Sequence, residues 1–254
     1  MRVEHKIGID ANRPIGVEGP DKGAIADTVA DPDIIASTGA GWVRLNFVLG
    51  PWSSPDDQRQ FHGKTWLQTY HTVVDQFLAK GLKIYGLISQ EAVRTDQDHD
   101  LHTLFRQPED KTADMERLQG HSWIQQYATN FGRIAREFHD KVEYFESFNE
   151  PDDWHGMEGV NWVHPTWFAH MLQKVHTVVK DELGLTGAQL ITGPLQGLHH
   201  HEGALGAPAH TYLRMTYAEG HSKLGWRPGR YPFDGIGYHP GAEQQAETRC
   251  CADE

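Results

Sequence analysis

The chain has 254 residues and carries 23 Lys and Arg against 35 Asp and Glu, a formal net charge of −12 at pH 7. That length suits one large domain or two small ones. The acidic balance argues against nucleic-acid and anionic-membrane partners, because both require a basic surface. No apolar run approaches the roughly 20 residues of a spanning helix. The two adjacent cysteines, Cys250 and Cys251, provide neither a disulfide framework nor a CxxC zinc motif.

The first residues bear on localisation only weakly. The segment 1–6 (MRVEHK) lacks the apolar core of a signal peptide. If such a signal was removed before this numbering begins, the protein is secreted; otherwise it is cytoplasmic. The sequence leaves the localisation open.

Short apolar segments alternate along the chain with longer segments of helical periodicity. The predicted strands are 5–10, 41–48, 82–89, 142–149, 189–194 and 234–239. The predicted helices are 32–37, 66–80, 123–139, 166–183 and 209–218. This alternation predicts an α/β protein with a parallel sheet and right-handed crossovers.

Six such units favour a (β/α)8 TIM-type barrel over an open doubly wound sheet. Residues 10–14 (DANRP) after the first strand lack the Gly-rich phosphate turn that is typical of the open sheet. Only 15 residues follow His239, whereas two further units need about 60. We therefore expect a single domain over 1–254, an incomplete barrel of about six units that lacks the C-terminal ones. Its long loops, 50–63 and 90–120, should lie on the functional face.

The strongest chemical signal is the segment 145–154, FESFNEPDDW. In a strand, Glu146, Phe148 and Glu150 would share one face, and Pro151 would end the hydrogen-bond ladder. A carboxyl group at a barrel mouth is well placed for general acid–base catalysis. The alternative is a solvated glutamate that caps a loop.

This segment closely resembles the fourth strand of clan A glycoside hydrolases, whose barrels carry an Asn-Glu-Pro acid/base motif. The segments 40–47 (AGWVRLNF), 81–89 and 233–240 (FDGIGYHP) resemble the second, third and sixth strands of that clan, in the same order. The closest likeness is to family 39-like and cellulase-like members.

The resemblance implies a retaining glycosidase that acts on a β-linked oligo- or polysaccharide, with Glu150 as the general acid/base. Asn149 would bind the sugar hydroxyl beside the scissile bond. In the clan the nucleophile is a Glu that ends the seventh strand, and this sequence has no seventh strand. Its tail carboxylates, Glu243, Glu247 and Glu254, lie in segments unlike strands. The nucleophile stays unidentified, and we expect impaired hydrolysis by this chain.

Arg44 and Glu146 should both point into the barrel, either as an ion pair that orients the site or as two independent charges. Trp154 could stack on a sugar face, and Asn46 should lie near the rim. The expected substrate-binding residues are Arg44, Asn46, Asn149, Trp154, Tyr238 and His239. For four other tryptophans we expect ordinary packing: Trp52, Trp162, Trp167 and Trp226.

Two alternative functions remain. Residues 199–202 (HHHE) contain metal-binding side chains, but consecutive loop residues rarely face one ion, so we expect a solvated loop without metal or cofactor. A metal-dependent hydrolase is thus the weaker alternative. The stronger one is a non-catalytic carbohydrate-binding barrel that keeps the cleft. Whichever function applies, the open side of an incomplete barrel would favour self-association.

Overall fold

A computed structural model of the protein describes residues 8–11, 15–16, 31–93, 122–152, 163–195 and 209–239. The strands are β1 (Gly8–Asp10), β2 (Trp42–Asn46), β3 (Lys83–Ile88), β4 (Val142–Ser147), β5 (Gln189–Leu195) and β6 (Gly235–Tyr238). The α-helices are α1 (Pro32–Ser37), α2 (Trp66–Ala79), α3 (Ser122–Phe138), α4 (Pro165–His176) and α5 (Ala209–Lys223). A 3₁₀ turn, Gln90–Ala92, follows β3, and a π-helical segment, Thr177–Glu182, continues α4.

The six strands form one parallel sheet in the order β1-β2-β3-β4-β5-β6, and each strand pairs with the next along the chain. The sheet curls into an incomplete barrel with helices outside, so the predicted fold class is confirmed. Within the described ranges, the outer edges of β1 and β6 have no strand partner. None of the helices in those ranges combines the length and apolar character needed to cross a membrane.

The main hydrophobic core lies between the outer face of the sheet and the helices. Two buried tyrosines fix the strand ends that lead to the barrel mouth. The Tyr70 hydroxyl of α2 donates to the carbonyl of Asn46 at 2.8 Å and accepts from the amide of Val48 at 2.6 Å. The Tyr127 hydroxyl of α3 donates to the carbonyl of Ile88 at 2.6 Å. The mouth ends of β2 and β3 are therefore held by helix side chains.

Several predicted boundaries are corrected by local hydrogen bonding and backbone geometry. The second strand ends at Asn46 rather than at 48, because the Val48 amide binds Tyr70 instead of continuing the ladder. The fourth ends at Ser147 rather than at 149, because Phe148 has a φ of 73°. The predicted start of the first strand, 5–7, lies outside the described residues.

Two helices also differ from their predictions. The predicted helix 166–183 is α-helical only to His176 and π-helical beyond it. The last helix continues to Lys223 rather than ending at 218. Gly220 lies inside it, where an added Cβ would sit 2.0 Å from the Trp226 ring. The glycine makes room for that tryptophan and does not end the helix.

Candidate active site

The segment after β4 is shaped by two left-handed residues, Phe148 (φ 73°) and Glu150 (φ 47°). Left-handed backbone is costly for residues other than glycine and clusters at functional sites. The Phe148 amide donates to the Ile88 carbonyl at 2.9 Å, and the Asn149 amide donates to Ser89 Oγ at 3.2 Å. The end of β3 thus holds this turn.

This geometry corrects the expectation that Glu146, Phe148 and Glu150 alternate along one strand face. Strand pairing stops at Ser147, and the Phe148 side chain is buried in the hydrophobic core. The left-handed turn, rather than strand periodicity, brings Glu150 to the barrel mouth.

Gly193 of β5 allows the turn to lie close to the neighbouring strand. A Cβ at this position would meet the carbonyl oxygens of Ser147 and Phe148 at 2.7 and 2.8 Å, and Pro151 Cδ at 3.0 Å. Such contacts with backbone are not tolerated without displacement of the chain. A glycine is therefore required beside the candidate active site.

Arg44 of β2 binds three side chains at once. Its Nε donates to Glu146 Oε2 at 2.7 Å, its Nη1 to Asp10 Oδ2 at 2.7 Å, and its Nη2 to Asn149 Oδ1 at 2.8 Å. The strand register places Asp10 beside Arg44, and Glu146 is on the second strand from it. Of the two interpretations of Arg44 and Glu146, the ion pair is confirmed.

Burial controls the protonation of this cluster. The Glu146 side chain is only 3% exposed, and desolvation raises its pKa to about 7, although the nearby Arg44 opposes that shift. The pKa of Arg44 is raised: burial lowers it, but Glu146 and Asp10 together outweigh that effect. Arg44 therefore stays charged, while Glu146 exchanges its proton near neutral pH.

Glu150 pairs with His239, the residue after β6. His239 Nδ1 lies 2.7 Å from Glu150 Oε1, and the two side chains are 40% and 19% exposed. The pair joins the end of the fourth strand to the end of the sixth, across the mouth of the incomplete barrel. A carboxyl group held in this way, and still reachable from solvent, can give or take a proton.

A cavity of about 730 Å³ opens inside the incomplete barrel. Arg44 and His239 both line it, so it reaches both groups of polar residues described above. Three aromatic residues line the same cavity. Tyr144 lies with its ring centroid 5.7 Å from Trp42 and 6.0 Å from Tyr85. Aromatic rings beside hydrogen-bonding groups are typical of small-molecule sites.

The other predicted site residues have different placements. Asn46 is 5% exposed, and its Oδ1 is buried without a hydrogen-bond partner among the described residues. Tyr238 is 59% exposed on β6; the hydrogen-bond partner of Glu150 is the next residue, His239. Trp154 and the tail glutamates Glu243, Glu247 and Glu254 lie outside the described residues.

The tryptophans expected to pack, where described, do so. Trp52 and Trp226 are buried, and Trp167 packs partly buried against the core; Trp162 lies outside the described residues. Residues 199–202 and the two cysteines also lie outside the described residues. In the part of the chain that the structure describes, no group of three His, Cys, Asp or Glu side chains could hold a metal ion.

Sequence reasoning missed three residues of the site: Asp10, Ser89 and Gly193. Asp10 ends the first strand, so its position at a barrel mouth was a signal that could have found it. Ser89 follows the third strand in the same way. Gly193 precedes a proline, and the sequence contains no sign of the close backbone approach it permits.

No protein-family model and no curated protein matches the chain. Among solved structures it is similar to an exo-β-1,4-mannosidase from Opitutaceae bacterium strain TAV5 (TM-score 0.46, 16% identity, 74% of this chain covered). It is also similar to a family 1 β-glucosidase from Thermotoga maritima (0.43, 14%, 69%) and a psychrophilic β-glucosidase from Micrococcus antarcticus (0.43, 13%, 76%). The matches cover only 31%, 38% and 40% of these three chains.

Proposed function

We propose that the chain is a barrel-type catalytic domain of a glycosidase for β-linked oligo- or polysaccharides, with Glu150 as the general acid/base. One observation carries the proposal: the carboxyl group of the Asn-Glu-Pro motif lies at the barrel mouth, 2.7 Å from His239, which lines the cavity. The motif supplies the chemistry, and the geometry gives that carboxyl access to solvent.

In this proposal Glu150 protonates the glycosidic oxygen as the sugar–oxygen bond breaks, and then takes a proton from the water that completes hydrolysis. Asn149 binds a sugar hydroxyl. Its amide oxygen is occupied by Arg44, so its N–H groups are the ones directed to substrate. Asn46, with its buried acceptor oxygen, is a second candidate contact.

The nucleophile of a retaining reaction is not assigned. Such enzymes need a second carboxylate about 5–5.5 Å from the acid. In the described residues, Asp10 and Glu146 are both ion-paired with Arg44. Because Arg44 engages both carboxylates, the pairing favours one alternative function, a carbohydrate-binding barrel without hydrolysis.

The test compares wild-type protein with Glu150→Gln on a panel of aryl β-glycosides and on unactivated oligosaccharides. Loss of the acid should slow cleavage of the unactivated substrates by about 10²–10⁴-fold and affect good leaving groups less in the bond-breaking step. Glu182→Gln, an exposed carboxylate after α4, is the matched control. Wild-type rates in Glu150→Gln would show that Glu150 is not the acid. Sugar binding without turnover by the wild type would support the non-catalytic alternative.

A further inference from the structure

Arg44 distributes its hydrogen bonds among three partners that differ in burial. Glu146 is 3% exposed and binds Nε, whereas Asp10 is 49% exposed and binds Nη1. The third partner is the neutral amide of Asn149, on Nη2. The guanidinium is planar and rigid, so the group that fixes Nε also fixes the direction of Nη2.

We propose that Glu146 is a positioning residue that sets the affinity of the site for sugar through Arg44 and the amide of Asn149. The inference rests on the proposed function, because it takes Asn149 as a substrate contact. Glu146 itself is too deeply buried to touch a ligand at the mouth.

The coupling follows from the charge on Glu146. When Glu146 is ionised, a charge-assisted hydrogen bond holds Arg44 Nε, and Nη2 is directed at Asn149 Oδ1. When Glu146 is protonated, that bond weakens, and Asp10 is then the one ionised carboxylate among the described residues that still binds Arg44. The guanidinium then turns toward Asp10, the Asn149 amide is held less firmly, and sugar binds more weakly.

Several titratable groups surround Glu146. Tyr85 donates a hydrogen bond to it from β3, and Ile191 is its non-titratable register partner in β5. The charged and titratable side chains that face it are Arg44 of β2, Asp10 of β1, Tyr85 of β3, Tyr127 of α3 and His239 after β6. Because the pKa of Glu146 is about 7, its change of protonation falls within the pH range in which proteins are commonly studied.

The experiment measures binding of neutral, non-hydrolysable aryl 1-thio-β-glycosides by calorimetry from about pH 5.5 to pH 8.5. Wild-type affinity should rise about five- to tenfold as Glu146 ionises, the equivalent of one hydrogen bond. Glu146→Gln keeps the shape without the charge, so its affinity should stay at the weak acid-form value. Any pH dependence that does not come from Glu146 persists in that variant and is subtracted.

The matched control is Glu182→Gln, an exposed carboxylate after α4 that does not line the cavity, which should follow the wild type. If Glu146→Gln does not fold, Asn149→Ala serves instead, because it should lose the same pH-dependent component. Parallel wild-type and Glu146→Gln profiles, or an equal loss at every pH, would overturn the coupling but not the glycosidase proposal. Failure of the wild type to bind any thioglycoside of the panel would overturn both.

Discussion

The central strands and the edge strands of the sheet differ sharply in burial. In β2, Val43 and Leu45 are completely buried beneath the helices. In β6, Ile236 and Tyr238 are 46% and 59% exposed. Within the described residues, β2 has a strand on each side, whereas β6 pairs with β5 alone.

The candidate active site draws on both regions. Arg44 and Glu146 come from the buried centre, where low polarity strengthens their ion pair and makes loss of either partner costly. His239 follows the exposed edge strand and is itself 40% exposed. We therefore expect substitutions in the Arg44 cluster to lower the free energy of unfolding more than substitutions of His239 do.

Loss of Arg44 should have the largest effect. Arg44→Met leaves Glu146 buried without its cation, so we expect the free energy of unfolding to fall by about 3–5 kcal/mol near pH 8 and by less near pH 5, where Glu146 is protonated. Denaturant unfolding at both pH values measures this. Lys141→Met, which breaks the exposed Lys141–Asp75 pair, should cost less than about 1 kcal/mol. Equal losses in the two variants would contradict the distinction between centre and surface.

The pH dependence of stability should report on Glu146. Its pKa rises from 4.5 to about 7 on folding, so the folded protein binds the proton more tightly than the unfolded chain. The resulting stabilisation is complete below about pH 4.5 and lost as the pH rises through 7. It amounts to roughly 3 kcal/mol at 1.36 kcal/mol per pH unit. The difference in unfolding free energy between wild type and Glu146→Gln, followed over this range, should show that slope; a flat difference would mean an unshifted Glu146.

Gly193→Ala tests the contact between β5 and the left-handed turn. The added methyl group would overlap two backbone carbonyl oxygens, so we expect a loss of about 1–3 kcal/mol together with weaker sugar binding as Glu150 moves. Gly187→Ala is the matched control, since nothing lies within 4 Å of its Cβ. Thermal unfolding and thioglycoside binding would be measured for both. Normal stability in Gly193→Ala would indicate that the turn is looser than the structure shows.

The sequence predicted the parallel sheet and the alternation of its strands with helices because hydrophobic periodicity is a local signal. It also predicted that Arg44 and Glu146 point into the barrel, since side chains alternate along strands. Interior placement did not decide between an ion pair and two separate charges.

What could not be predicted depends on contacts between distant segments. The strand alternation that was extended to Glu150 failed at Phe148, whose left-handed backbone is stabilised by β3 and by the space at Gly193. The extra turn of α5 likewise includes Gly220, whose missing side chain leaves room for the Trp226 ring. In both cases a glycine lets another segment of the chain approach closely.

The edge strand offers the smallest expected effect on stability and a separate effect on association. Within the described residues, β6 has no strand on its outer edge, and its exposed apolar residues invite pairing with another chain, so we expect self-association through this edge at about micromolar concentration. Ile236→Lys places a charge on β6 and should shift the protein toward monomer in light scattering, while the free energy of unfolding changes by less than about 0.5 kcal/mol. Ile34→Lys, at a 63% exposed position of α1, should leave association unchanged. If the wild type is a monomer at these concentrations, the edge of β6 does not mediate association. If Ile236→Lys and Ile34→Lys have equal effects, the association depends on net charge rather than on that edge.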